Sequence, residues 1–284
     1  MSRNALSIRH PAAAIRSNDP IPLEVLRSRI PSAFAEEAHE SRSARYTFIP
    51  TAEVIEGLGR EGFFPFAAMQ QRTRDESKRD YTRHLIRFRH PGLVARQVGD
   101  VIPEVVLLNS HDGTSSYRLM AGLFRLVCTN GLVVSESTCA DVSVRHSGNV
   151  VHEVIEGAFQ VLDGTKNAIE TSQAFRAIDL QPAEQDAFGE AAAELRWGDE
   201  APVEGRAVVQ ARRWGDSDNS LWTTFNRAQE NIIRGGVRGR NANGGRMTTR
   251  EVSGVSENVR LNRALWLLTE RMAELKGADI KRAA

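Results

Sequence analysis

VIPEVVLLNSHDGTSSYRLMAGLFRLVCTNGLVV, residues 101–134, is the stretch that decides how this chain is read. Two apolar runs, Val101–Leu108 and Tyr117–Val127, flank Asn109-Ser110-His111-Asp112-Gly113-Thr114. Asp-Gly between apolar runs marks a hairpin, because glycine takes a positive φ at no steric cost. A second turn signal, Asn130-Gly131, follows directly, and Leu132–Val134 leads out of it. The stretch therefore predicts consecutive antiparallel strands.

Working outward, Asp141–His146 (DVSVRH) and Tyr81–Arg89 (YTRHLIRFR) alternate in the same way. Tyr81, Leu85 and Arg87 fall on one face of the second run, with His84, Ile86 and Phe88 on the other. Arg45–Pro50 (RYTFIP) reads as a short β run closed by proline. Thr51 then opens a helix as its N-cap, with Glu53 in the first turn and Gly62 just past the end. Phe63–Gln71 returns to extended structure, where Pro65 suits an edge or a strand start, and the charged run Arg72–Asp80 reads as a hairpin loop. Residues 45–148 are thus expected to form a β-rich α+β core, an antiparallel sheet with a packed helix.

The flanks differ in kind. Residues 1–44 hold Pro11, Pro20, Pro22 and Pro31 and are expected to form an extended N-terminal arm, with one short helix at Leu23–Arg29. From Val150 the apolar period becomes 3.6, with Val151, Ile155, Ala158 and Leu162 on one face. Helical patterns continue through Thr165–Ala177, Ala183–Arg196, Ser220–Arg234 and Ser256–Leu275. Residues 149–284 are therefore expected to be mainly helical, interrupted by a Gly/Arg-rich loop over 234–250. The fold class is α+β.

Across 284 residues the chain is 41% hydrophobic and 26% charged, enough to bury a core. No apolar run approaches the ~20 residues of a membrane span, so no membrane partner is expected. Two cysteines, Cys128 and Cys139, cannot make a disulfide framework and fit a reducing cytoplasm. The 37 basic and 36 acidic residues nearly cancel, which taken alone argues against a dedicated nucleic-acid binder. The charges are unevenly placed, however. Arg72–Arg96 carries a surplus of +5, Arg206–Arg250 one of +6, and Val150–Glu204 stands at −9. All but four of the basic residues are arginine, whose flat fork matches phosphate oxygens, although a GC-rich genome produces the same bias.

Two constellations follow the basic surpluses. Arg83, Arg87 and Arg89 alternate along one strand and are expected to share a side, with Lys78 and Arg79 at the loop tip and Tyr81 placed to stack on a base. A half-exposed strand with a charged outer face has the same pattern. Arg234, Arg238, Arg240 and Arg246 lie in the glycine-rich loop, which lacks the Gly-Lys-Ser/Thr of a phosphate-binding P-loop. Freed backbone amides and arginine forks can follow a phosphate backbone without reading a base sequence; a solubilising surface loop needs the same residues. The amide-rich segment Asn226–Asn231 fits either a ligand contact or a lock on that loop. His111-Asp112 offers a base and a carboxylate for metal-dependent nuclease chemistry, yet Asp112 also has a turn role beside Gly113. Cys128, Cys139, His146 and His152 lack the short ligand pairs of structural zinc sites, so neither a metal nor a cofactor is expected.

AEEAHESRSARYTFIPTAEVIEGL (35–58), NSHDGTSSYRLMAGLFRLVCTNGLVV (109–134), FNRAQENIIRGGVRGR (225–240), MTTREV (247–252) and LNRALWLL (261–268) carry a further signal. In this order they resemble the plasmid- and phage-associated proteins that share domain of unknown function 932. The resemblance implies a mobile-element setting, often among DNA-processing genes, and no particular activity. The 45–128 block is also similar to the β-α-β-β opening of single-strand annealing proteins, which implies a ring whose basic groove holds single-stranded DNA and needs no catalytic residue.

The expectation is a non-enzymatic, homo-oligomeric protein that binds single-stranded DNA, or RNA, through the two arginine clusters. An antirestriction-type interaction protein acting through the acidic 150–204 segment, and a metal-dependent nuclease, are the alternatives.

Overall fold

The computed structural model describes residues 14–42, 46, 48–90, 101–125, 130–134, 141–144 and 150–280. In its first half β1 (Ala14–Arg16), α1 (Leu23–Arg29) and α2 (Thr51–Arg60) precede β2 (Phe64–Gln70), β3 (His84–Arg89), β4 (Val101–Asn109), β5 (Tyr117–Arg125), β6 (Asn130–Val133) and β7 (Val142–Val144). The strands run antiparallel in the order β1-β2-β3-β4-β5-β6, and β7 pairs with β5 beside β6. The α+β class is borne out.

Alternation has a different consequence here than in a sheet with one wet face. All six residues of β3 and all nine of β4 are buried. Ile86, Phe88, Val105, Leu107, Leu119 and Leu123 turn to the main core with Val54 of α2 and with Val154 and Ala158 of α3 (Val150–Arg176). Leu85, Val106, Leu108, Met120 and Val133 turn the other way and meet Val255 and Val259. Those two belong to the last helix, so the helical half covers the second face. Each large apolar side chain buried in this way contributes about 1.5–3 kcal/mol.

After α3 come α4 (Pro182–Trp197), the single turn α5 (Gly205–Val208) and α6 (Leu221–Arg234). The chain then forms β8 (Arg238–Arg240) and β9 (Arg246–Thr248), a separate two-stranded sheet, before α7 (Val255–Leu275). The helices meet at Phe175, Trp222, Phe225 and Trp266, with ring centroids 5.5 Å apart for Phe175–Trp266 and 5.8 Å for Phe225–Trp266. Residues of the sheet and of the helical half belong to the same hydrophobic cluster.

Several expectations change. Residues 14–34 are not loosely held: β1 pairs with β2, and Ile21, Leu26, Ile30, Ala33 and Phe34 enter the main core. Proline had suggested an arm, but the apolar residues between the prolines find a surface to cover. Tyr46 and Phe48–Pro50 do not join the sheet. Thr51 is the first residue of α2 rather than its cap, and Pro50 holds the cap position. Asn130 and Gly131 are not a turn but pair with Arg125 and Phe124 in the ladder. The helical patterns at 151–162 and 165–177 prove to be one helix, α3, unbroken from Val150 to Arg176. Cys128, Cys139 and His146 lie outside the described residues. Among the described residues no helix is long and apolar enough to cross a membrane.

Candidate nucleic-acid interface

The segment read as a glycine-rich loop is a β-ribbon. Register pairs Arg238 with Thr248, Gly239 with Met247 and Arg240 with Arg246. Side chains alternate across a strand, so Arg238, Arg240, Arg246 and Thr248 share one face, and all four are exposed. Gly239 faces the other way, against the chain at 202–203. The Arg240 amide donates to the Pro202 carbonyl at 2.8 Å, and a methyl on Gly239 would collide with that same carbonyl. Only glycine lets the ribbon lie this close, and the close seat turns the arginines outward. Asn241 closes the tip by accepting from the amides of Asn243 and Gly245. No described carboxylate pairs with Arg238, Arg240 or Arg246. Three exposed guanidinium forks thus stand on a fixed backbone, that of Arg240 also donating to the Gly244 carbonyl at 3.0 Å.

Arg234 belongs elsewhere. It ends α6 and donates to Glu230 at 3.1 Å. Glu230 also accepts from Arg213, so the charge of Arg234 is already engaged. The amide-rich stretch of α6 locks segments other than the Gly/Arg-rich one: Asn231 donates to the carbonyls of Val208 and Gln210, Gln229 donates to Asn262 at 2.8 Å, and Arg227 donates to the carbonyls of Asp216 and Asp218. These bonds pin the 205–219 loop and α7 onto α6.

The other expected wall comes apart. Arg79 is exposed, and Lys78 is half-buried near Asp75 on a 3₁₀ turn, Glu76–Tyr81. Tyr81 packs edge-on against His39 at 5.1 Å instead of offering its ring to a base. Arg83 is half-buried and donates to the Thr114 carbonyl at 3.0 Å and to Ser256. Arg87 and Arg89 do project from the same sheet face, but they are only 6% and 5% exposed. Arg87 donates to Glu104 at 2.6 Å and Arg89 donates to the other oxygen of that carboxylate at 2.8 Å. The solvent-facing stripe of Arg83, Arg87 and Arg89 is therefore corrected: Arg87 and Arg89 form a buried cluster with Glu104, and the half-buried Arg83 is held apart from them at Thr114 and Ser256. Neighbours on the sheet itself enclose the buried pair, Phe66 and Phe124 around Arg89 and the Leu132 carbonyl on Arg87.

His111 and Asp112 also separate. Asp112 accepts from the Thr114 amide and hydroxyl as a turn residue. His111 is fully buried beside His84, both ring Nε2 atoms lying 3.1–3.2 Å from the Thr51 hydroxyl, and Asn109 donates to that hydroxyl as well. Burial, then the nearby His111, lowers the His84 pKa to about 3. An unfolded histidine titrates near 6.5, so the unfolded chain takes up a proton below that pH while the folded chain does not. The share of stability held by neutral His84 is complete above pH ~6.5 and falls until about pH 3. Carbon-bound ring protons of His84 should keep their neutral-form NMR shifts from pH 7 to 4.5. A titration midpoint near 6 would refute this.

One exposed aromatic escaped the sequence reading. Trp214 is 92% exposed on the short turn Trp214–Asp216. Its neighbour Arg212 donates to Asn231 and to the Gly235 carbonyl, which ties this turn to the chain entering β8. The signal was present as Arg212-Arg213-Trp214-Gly215, a tryptophan among arginines outside any apolar period.

The fold and the ribbon define an α+β protein with a doubly covered antiparallel sheet, whose helical half presents an arginine-faced β-ribbon. The chain belongs to the family described as Domain of unknown function (DUF932), whose sequence profile matches residues 38–266. It is similar to UPF0380 protein YafZ and UPF0380 protein YfjQ, both of Escherichia coli (strain K12). Each is 48% identical over 262 residues, which cover 92% of this chain and 94% of the relative. No solved structure matches it.

Proposed function

We propose that this protein binds single-stranded DNA through the β8–β9 ribbon, gripping phosphates without a catalytic step. The observation that carries the reading is the exposed row Arg238, Arg240 and Arg246, unpaired with any described carboxylate and held outward by the close seat of Gly239. Guanidinium forks on a rigid ribbon suit phosphate oxygens. Trp214 adds a stacking surface, and stacking on a base favours strands whose bases are unpaired. Arg79 supplies a further exposed cation. The +6 charge surplus of this region fits a polyanion, and the mobile-element setting implied by the family resemblance fits a strand-handling role. Homo-oligomerisation belongs to the same proposal.

Filter binding and Trp214 fluorescence with oligo(dT) at low salt test the reading. Saturable binding that weakens linearly in log–log salt is expected. No affinity at low salt overturns it, and preference for oligo(rU) would redirect it to RNA. Mass in solution with and without the oligonucleotide reads the oligomeric state.

A second reading rests on the open cleft between α4 and α5, where Asp186, Glu190 and Glu194 converge beside Glu204, itself paired with Arg206. That cleft suits a basic partner protein. Charge reversal there would remove such capture and leave DNA binding intact.

A further inference from the structure

On the sheet face that carries Arg87 and Arg89, the helical layer leaves a cleft of about 220 Å³ at β1, β2, β3, β5 and β6. Arg16, Arg87 and Arg89 line it together with Phe66, Phe124 and Gly131. Most sheet faces at such a depth are filled by apolar side chains. This one gathers three arginines around a single buried carboxylate, Glu104.

The hydrogen bonds leave donors over. Arg87 spends its fork on Glu104 and on the Leu132 carbonyl, at 2.6 and 2.9 Å. Arg89 gives only its Nε–H to Glu104. Its guanidinium is held between Phe66 and Phe124, 4.4 and 3.7 Å from the ring centroids, and its two Nη atoms have no acceptor among the described residues. Arg89 lines the cleft, and a fork clamped in place with open donors suits an incoming oxyanion. Gly131 keeps the space clear, because a methyl there would collide with the Arg87 guanidinium. Arg16 closes the rim. Desolvation, and then repulsion from Arg87 and Arg234, lower its pKa against a weaker opposing pull from Glu251 and Glu104. An anion in the cleft would relieve that repulsion.

We propose that this cleft binds a phosphate monoester, held by the open fork of Arg89 and by Arg16 over the Arg87–Glu104 floor. The volume lies below the ~300–1,000 Å³ typical of pockets for larger ligands, which suits one phosphoryl group and what is directly attached to it. The same chemistry is offered by free small phosphates and by the 5′-phosphate of a nucleic-acid strand. The site is separate from the ribbon and does not depend on the ribbon's function.

Isothermal titration of the full chain with inorganic phosphate at low ionic strength tests the cleft without nucleic acid. Saturable one-site binding is expected. Arg16→Gln, at the solvent-facing rim, should weaken it about tenfold, the effect of losing one charge-assisted contact. Arg89→Lys keeps a cation beside Glu104 while removing the planar fork, and should weaken binding to at least the same extent with the melting temperature nearly retained. Comparing dTMP with short oligo(dT) bearing either a 5′-phosphate or a 5′-hydroxyl separates the two sources. Tighter binding of the 5′-phosphorylated strand than of dTMP and of the hydroxyl strand would assign a strand end; equal or tighter binding of dTMP would assign a small phosphate. Absence of saturable phosphate binding by the folded wild type overturns the proposal, as does unchanged affinity in both variants. Alanine at Arg238, Arg240 and Arg246 should leave phosphate affinity untouched, so the cleft and the ribbon stand or fall separately.

Discussion

Glu104→Ala is expected to lower the unfolding free energy by about 3–5 kcal/mol, the range for removing one partner of a buried ion cluster. Glu104 is fully buried on β4, and each of its oxygens accepts from a different arginine of β3. Alanine leaves two guanidiniums near each other on the sheet, with Leu132 as the main remaining acceptor. Neither arginine can swing into solvent without leaving a hole among Val106, Phe66 and Phe124. Urea unfolding read by far-UV circular dichroism measures the loss. A change below 1 kcal/mol would show that the arginines do not need Glu104.

The converse is equally specific. Replacing Glu104, Arg87 and Arg89 together with apolar residues of similar volume should recover most of the lost stability, because the desolvation cost of the charges disappears with them. The recovered protein would have no phosphate cleft. Saturating phosphate should also raise the stability of the wild type by linkage, and this increment should vanish in the apolar triple variant.

The second large effect concerns the ribbon. Alanine at Arg238, Arg240 and Arg246 together should weaken oligo(dT) binding roughly 100-fold at low salt, taking about 1 kcal/mol for each exposed charge-assisted contact. The log–log salt slope should become shallower by about 2, because each phosphate neutralised on a single strand contributes about 0.7. Trp214→Ala should cost a smaller factor and leave that slope unchanged, since stacking releases no counterion. The variants should fold normally: the three arginines are exposed, and the ribbon is seated by Gly239 and Met247 instead. A triple variant with wild-type affinity and slope would remove the ribbon from the interface.

Strands β3, β4 and β5 were readable because alternation and Asp112-Gly113 are local properties. The helices were readable from their 3.6 period, and Ser220 caps α6 by accepting from the Thr223 amide, as its residue type suggests. The ribbon was less visible. Arg238–Arg240 and Arg246–Thr248 are three residues each, too short for a period, and the glycines between them look like a loop. What makes them strands is their pairing with each other, and the Pro202 carbonyl, brought there by the chain around α5, seats the pair. Arg87 and Arg89 show the opposite failure: their shared face was legible, but its exposure was not.

The sequence alone determined the class of fold, the order of its elements and which side chains share a face, because these follow from backbone geometry within a few residues. It also carried the family resemblance and the uneven placement of charge. Only the tertiary structure decided which charged faces meet water. Burial depends on what arrives from elsewhere in the chain: α7, 166 residues after β3, covers Leu85 and Leu108 on the face that Arg87 and Arg89 share, Phe66 and Phe124 close on Arg89, and the contact at Pro202 leaves Arg238, Arg240 and Arg246 outside. A guanidinium in water and one clamped between two phenyl rings have the same letter in the sequence. Solvent, supplied or withheld by packing, makes one a surface contact and the other the wall of a cleft.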